Sequence, residues 1–271
     1  MFQLKIKSPL RYPGGKSKAL SQIIPHIPLD ITEYREPFIG GGSVFLGVKQ
    51  LFENRIKSYW INDLNYDLYC FWYHARDHIE DLVDAITTIK RSYTDGRELF
   101  KYLTAEDLKL TEFDRAVRFF VLNRITFSGT VDSGGYSQQA FERRFTDSSI
   151  DRLRKLSPSL ASIQITMGDY EKLLSAAGEG VFIFLDPPYF SATKSKLYGI
   201  KGSLHTSFDH ERFAKNMQKC QHRWLITYDD SPEIRKLFSF AKVTEWKLQY
   251  GMNNYKQKKS AEGEELLIKN Y

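Results

Sequence analysis

The chain predicts an α/β fold, a mostly parallel sheet with a helical segment inserted after its second strand. Three observations lead there. Val181-Phe182-Ile183-Phe184-Leu185 is an apolar run of strand length closed by Asp186 and two prolines, as expected of a strand buried on both faces. Residues 33–63 read strand, glycine turn, helix, strand, acid, the order of a ligand-binding βαβ unit. From about residue 64 to 157 helical patterns dominate, and strand signals return after them. The 271 residues suffice for one large domain or two modest ones.

Each element follows from local signals. Residues 33–38 form the first predicted strand, followed by Ile39-Gly40-Gly41-Gly42-Ser43 and a helix over 44–51. Residues 56–61 give the second strand, ending at Asn62-Asp63. Within the helical stretch, 113–125 is apolar around most of its surface and must be buried. A polar, glycine-rich loop is expected over 128–149. Strands then resume at 162–166, 181–185, 223–228, 242–250 and 264–269, with helices at 207–220 and 231–238 between them. The last two strands read as antiparallel, joined by a loop over 251–263. The expected division is one domain from residues 1–64 and 158–271, and a second from 65–157.

Composition narrows the function classes. A net charge of +6 and a pI of about 9.1 make a polyanionic partner plausible. No apolar stretch reaches bilayer-spanning length, so no membrane is expected. Residues 1–8 lack the apolar core of a signal peptide. Cys70 and Cys220 lie far apart without metal-type spacing, which reads as reduced thiols of a cytoplasmic protein. Nothing pairs His205 or His210 with metal ligands, and no metal is expected.

The chemistry concentrates at the predicted strand ends. Asp186 supplies a carboxylate acceptor, Pro187 a carbonyl free of competing proline N–H groups, Pro188 stiffness and Tyr189 a flat face. That set suits a planar ring bearing an exocyclic amino group. The plain alternative is a proline-stiffened turn after a core strand. Gly40-Gly41-Gly42 lets a ligand approach bare backbone beside a helix N-terminus. Asp63 falls roughly 20 residues after the glycines, where a carboxylate commonly takes ribose hydroxyls. Its alternative is an N-cap for the next helix. A nucleoside cofactor without a phosphate fits this loop, which is not GxGxxG.

At these residues the chain resembles the Dam-type, D12 or α-class, DNA adenine-N6 methyltransferases. Leu10-Arg11-Tyr12-Pro13-Gly14-Gly15-Lys16 resembles the family's N-terminal cofactor motif, although some relatives carry tryptophan in place of Tyr12. The stretch Glu36-Pro37-Phe38-Ile39-Gly40-Gly41-Gly42-Ser43-Val44-Phe45-Leu46 resembles the glycine-loop motif, and Ile61-Asn62-Asp63 the acidic motif. Asp186-Pro187-Pro188-Tyr189 resembles the catalytic tetrapeptide, and Glu264-Glu265-Leu266-Leu267-Ile268 the closing strand.

The resemblance implies a seven-stranded Rossmann-like methyltransferase sheet with an inserted, mainly helical target-recognition domain. It implies S-adenosylmethionine as methyl donor, held by Tyr12, Lys16, Phe38, Gly40, Gly42, Asp63 and Asp186. Asp186, Pro187 and Tyr189 would act on an adenine flipped out of double-stranded DNA, with Phe190 as a second stacking candidate; core packing is the alternative for both aromatics, stronger for Phe190. Arg124, Ser128, Tyr136, Gln138, Arg143 and Arg144 are the DNA-contact candidates. An ordinary solvated loop is their alternative, and Asp132 is an alternative ion-pair partner for Arg124. The loop departs from GATC-methylating relatives, and residues 194–202 read as a flap or a plain surface loop. An RNA adenine-N6 methyltransferase and a non-catalytic cofactor-holding DNA-binding module remain the other readings. A bacterial or phage origin, a monomer or weak dimer, and a companion restriction endonuclease complete the expectations.

Overall fold

The structure, a computed structural model, describes residues 4–131, 134–190, 208–249 and 262–271. Its centre is a seven-stranded sheet: β1 (Glu33–Glu36), β2 (Ser58–Asp63), β3 (Gln164–Met167), β4 (Val181–Leu185), β5 (Arg223–Asp229), β6 (Lys242–Gln249) and β7 (Glu262–Lys269). The spatial order is β3-β2-β1-β4-β5-β7-β6. Strands β1 to β5 pair in parallel, and β7 runs antiparallel between β5 and β6. The order reverses direction between β1 and β4, so the carboxyl ends of these neighbours flank the switch-point crevice where open α/β sheets bind ligands.

Alternation along the strands separates two cores. Phe182 and Phe184 of β4, Leu225 and Leu267 face one side. Val181, Ile183 and Leu185 of the same strand, with Trp224, Ile226 and Tyr228, face the other. β4 is buried along its whole length. Burying such a side chain stabilises by about 1.5–3 kcal/mol, which is why the strand carries no polar residue until Asp186.

The helices are α1 (Leu20–Ile23), α2 (Ser43–Leu51), α3 (Tyr66–Asp77), α4 (Ile79–Ser92), α5 (Gly96–Leu103), α6 (Glu112–Ile125), α7 (Gln138–Arg144), α8 (Asp147–Arg154), α9 (Ser157–Leu160), α10 (Glu171–Ser175), α11 (His210–Lys219) and α12 (Pro232–Leu237). Helices α3 to α9 lie between β2 and β3 in sequence and share the core that covers Phe182 and Phe184. Within them Phe71 of α3 stacks on Phe120 of α6 at 6.1 Å. Among the described residues no helix is long and apolar enough to cross a membrane.

Several boundaries differ from the sequence expectation for identifiable reasons. β1 stops at Glu36, because Pro37 has no N–H for the ladder. β2 runs on to Asp63, since Asn62 and Asp63 pair with Thr166 and Met167 of β3. α11 starts at His210, where the Asp209 side chain accepts the Arg212 N–H. The expected loop over 128–149 contains α7, whose N-terminus is capped by Ser137 accepting from Ala140 N. Its glycines and polar residues masked the helix-forming run after that cap. Asp132, His205 and the expected segment 194–202 lie outside the described residues, as does most of the loop expected over 251–263.

Candidate active site

The ends of β4, β1 and β2 bring the sequence candidates together. At the end of β4, Asp186 Oδ2 accepts from Lys16 Nζ at 2.7 Å and Oδ1 from the Thr227 hydroxyl at 2.6 Å. Lys16 Nζ also donates to Gly14 O and lies 4.9 Å from the centre of the Tyr189 ring. Its side chain is 3% exposed, against 21% for Asp186. The carboxylate therefore faces the crevice, while the ammonium is sealed behind it. A carboxylate has about four lone-pair positions, so each Asp186 oxygen keeps one acceptor position open.

Pro187 is buried and Tyr189 half-buried. The Tyr189 hydroxyl donates to Glu265 Oε2 at 2.9 Å, and its ring stacks on Tyr228 at 5.9 Å. Phe190, half-buried, packs edge-on against His210. Its N–H donates to Asp229 Oδ1 at 2.9 Å.

The glycine loop after β1 is shaped by what packs on it. Gly40 and Gly42 both have positive φ, +45° and +67°. A methyl group on Gly40 would come within 2.9 Å of the Tyr12 ring, and one on Gly42 within 2.7 Å of Trp72. Neither position has room for a side chain. Trp72 Nε1 also donates to Gly40 O at 3.1 Å, tying α3 to the loop. Phe38 packs its ring on Tyr170 and Phe213, so one wall of the crevice is aromatic.

Asp63 completes the crevice. Oδ2 accepts the Gly40 N–H and Oδ1 the Asn65 N–H, each at 3.0 Å. The helix N-cap is Asn65, which accepts from Leu68 N; the capping alternative for Asp63 is thereby overturned. Burial pushes the Asp63 pKa up to about 6, although the backbone N–H bonds pull it down. Beneath it Glu36, 2% exposed, is raised well above the carboxylate range by burial, with the charges of Asp186 and Asp63 adding to the effect. The floor of the site is acidic, and burial disfavours the charged form of its innermost carboxyl.

The DNA-contact candidates lie at the end of α6, in the turn after it and on α7 or just before it. Arg143 and Arg144 are exposed in the last turn of α7. Tyr136 turns inward toward Phe100, and its hydroxyl pairs with Gln138 Oε1, whose Nε2 in turn donates to Glu142. The two side chains bond each other, with Gln138 exposed and Tyr136 half-buried. Ser128 adopts a positive φ of 55° in the turn after α6. Arg124, at the end of the buried helix α6, is 4% exposed and lies over Phe120 at 5.2 Å. An arginine ending an otherwise apolar buried helix is drawn into the core with it.

Four groups escaped the sequence reading. Thr227 stands inside the apolar run of β5, which was the available signal; Glu265 follows Glu262-Gly263-Glu264 and had no such signal. Asn123, fully buried, accepts from Arg11 N and donates to Arg11 O and Gly129 O, each at 2.9 Å. Phe127, 62% exposed beside it, presents a bare aromatic ring at the α6 turn.

Residues 12–252 match the family described as D12 class N6 adenine-specific DNA methyltransferase. The chain is 28% identical to the type II methyltransferase M1.LlaDCHI of Lactococcus lactis subsp. cremoris, covering 84% of this chain and 74% of that protein. It is 26% identical to the type II methyltransferase M.MjaIII of Methanocaldococcus jannaschii, over 81% and 82% of the two chains. A DNA adenine methylase of Haemophilus influenzae is 23% identical over 95% of this chain and 91% of its own.

The Lys16–Asp186 pair generates a stability prediction. Removing one partner of a buried pair leaves a desolvated charge and costs about 3–5 kcal/mol. Asp186→Ala strands Lys16, and should lower the thermal midpoint by about 5–10 °C in a chain of this size. Adding Lys16→Met should recover most of that loss. Equal midpoints for the single and double variants in calorimetry would show that the pair contributes no coupling.

Proposed function

Because the chain belongs to the D12 class of N6 adenine-specific DNA methyltransferases, we propose that it transfers the methyl group at the crevice formed by the ends of β1, β2 and β4. One observation carries this assignment of the site. Asp186, the Gly40–Gly42 loop and Asp63 converge on adjacent strand ends at the point where the strand order reverses.

The crevice fits S-adenosylmethionine. Asp63 keeps acceptor positions for two ribose hydroxyls beyond the N–H bonds it already takes. The glycines leave backbone accessible, Phe38 offers an apolar wall, and the acidic floor suits a cation. Tyr12 and Lys16 close the side formed by residues 10–16. When bound, the cofactor supplies an electrophilic methyl group on a positively charged sulfur.

The residues of this chain prepare the nucleophile. Adenine N6 is a weak one, because its lone pair is delocalised into the ring. Asp186, with an acceptor position open on each oxygen, takes a hydrogen bond from the amino group, and the Pro187 carbonyl takes the other. These bonds draw N6 toward tetrahedral geometry and favour the positive charge that develops on it, which is selective stabilisation of the transition state. Lys16 and Thr227 fix the carboxylate so that this orientation is set before the base arrives. Extruding the base from a duplex costs a few kcal/mol. Tyr189, anchored through Glu265, offers a face to the extruded ring.

Residues 65–157 are proposed as the target-recognition domain, with 1–64 and 158–271 as the catalytic domain. Arg143 or Arg144 is the favoured base reader, both being exposed in the last turn of α7. A monomer or weak dimer acting on double-stranded DNA in the cytoplasm completes this reading. The type II names of two relatives support a companion restriction endonuclease.

Three outcomes check it. Tritiated cofactor should label duplex DNA and leave ribosomal RNA unlabelled. Asp186→Asn, which keeps the shape of the side chain, should retain under one percent of the labelling rate with duplex binding within a few-fold of the parent. A rate above that level removes the carboxylate from the chemistry.

Asp63 links cofactor binding to pH. Its raised pKa means that the free protein gains stability as pH falls from about 6 toward 4 and loses that contribution as pH rises through 6. Hydroxyl donation requires the ionised form, so cofactor affinity should move the other way. It should be flat above pH 7 and fall by up to about tenfold per unit below pH 6. Asp63→Asn should bind at least about tenfold more weakly at pH 7.5 and lose the pH dependence, as measured by titration calorimetry. A pH profile unchanged by the substitution would place the ribose elsewhere.

Arg143→Ala should relax the methylated motif at one base position, as expected of a guanine contact worth about 1–3 kcal/mol. Mapping methylated adenines genome-wide reads this directly, and an unchanged motif would exclude Arg143 as a reader.

A further inference from the structure

Four arginines from separate parts of the chain gather at the end of α6. Arg124, 4% exposed, has its Nε buried without a hydrogen-bond partner, and no carboxylate among the described residues pairs with it. Arg11 is fixed beside the same turn. Asn123 clasps its backbone, and its Nη1 donates to Thr126 O at 3.3 Å. Arg144 ends α7 and Arg152 stands in the last turn of α8, both exposed. Loss of water and the charges of Arg11, Arg152 and Arg144 push the Arg124 pKa down to about 9. Arg11 is lowered by burial and by Arg144.

The neighbouring arginines behave differently. Arg115 and Arg118 of the same helix share Asp67, and Arg154 of α8 holds Glu80. Carboxylates are thus available to this helical layer, yet none is spent on Arg124. A desolvated cation ringed by like charges is unfavourable until an anion arrives.

We propose that Arg124, with Arg11, Arg144 and Arg152 around it, forms a seat for one phosphate of the DNA backbone. The inference rests on the DNA-methylating reading and adds a binding site to it. A guanidinium fork grips a phosphate through paired N–H bonds in a way an ammonium does not match. Arg124 then positions the duplex and reads no base. Arg11 precedes Tyr12, whose ring packs against Gly40 and Gly41. A phosphate held by Arg11 and Arg124 would therefore sit one residue along the chain from the ring that packs on the glycine loop. Phosphate contacts of this kind fix register without carrying sequence information.

Duplex affinity measured across a salt series tests the proposal, together with thermal midpoints in inorganic phosphate against chloride at equal ionic strength. Arg124→Met should lower the slope of log affinity against log salt by about one unit. Across a fourfold rise in salt the parent should lose roughly 3.5-fold more affinity than the variant. The methylated motif should stay the same, and the variant's own midpoint should not fall, because an uncompensated buried charge has been removed. Phosphate should raise the parent midpoint and not the variant's.

An unchanged slope overturns the proposal, as does a lowered midpoint rescued by no anion, which would assign Arg124 a structural partner such as Asp132. Phosphate stabilisation without a change in slope would mark a free-anion site and equally reject the DNA assignment. If Arg124→Met does not fold, the exposed pair Arg144→Ala and Arg152→Ala decides on the slope alone. A parent that labels no DNA brings down the underlying reading, whereas a labelling parent with an unaltered slope brings down only the phosphate seat.

Discussion

A buried lysine meeting a half-shielded carboxylate organises this molecule. Lys16 lies 3% exposed and its only described carboxylate partner is Asp186. The attraction between them holds residues 10–16 across the end of β4. An ammonium without water is costly, so the segment stays where its charge is met. The segment in turn packs Tyr12 on the glycine loop and presents Arg11 to Asn123. The two proposed binding regions are therefore joined through seven residues rather than through the sheet alone. The same pair fixes the rotamer of the carboxylate, with Thr227 as the second hold.

Charge is partitioned across the fold. Asp63 and Asp186 concentrate negative potential at the strand ends, and burial disfavours the charged form of Glu36 beneath them. Around the end of α6 the balance reverses, with arginines gathered and their usual acids absent among the described residues. A cationic cofactor and a polyanionic duplex each meet a complementary surface. The net charge of +6 hides this separation.

Local chemistry reads well from sequence wherever one residue type has one dominant use. The run before Asp186 is a strand with all five residues buried, because five apolar residues closed by prolines have few alternatives. Gly40 and Gly42 are glycines for the steric reason their turn suggested, although the rings excluding a side chain, Tyr12 and Trp72, come from distant positions. Asp63 illustrates the limit. Its two plausible roles differ only in which N–H groups lie nearby, and Asn65 takes the capping role by standing two residues further on. Helix α7 was hidden because composition averages over a cap, whereas Ser137 acts through a single hydrogen bond.

The sequence by itself determined the order of the strands along the chain, the parallel character of the buried ones, the candidate acid at each strand end and the helical nature of the insert. Hydrophobic periodicity and proline or glycine geometry are local properties, so they survive without coordinates. Tertiary structure alone decided that Lys16 spends its charge on Asp186, that Thr227 and Glu265 steady the site, and that Arg124 is buried among arginines instead of facing solvent. Those outcomes depend on side chains that meet across 41 residues for Thr227 and Asp186, 76 for Glu265 and Tyr189, and 170 for Lys16 and Asp186. Burial and pairing are set by the packed whole, and no window of sequence contains both partners.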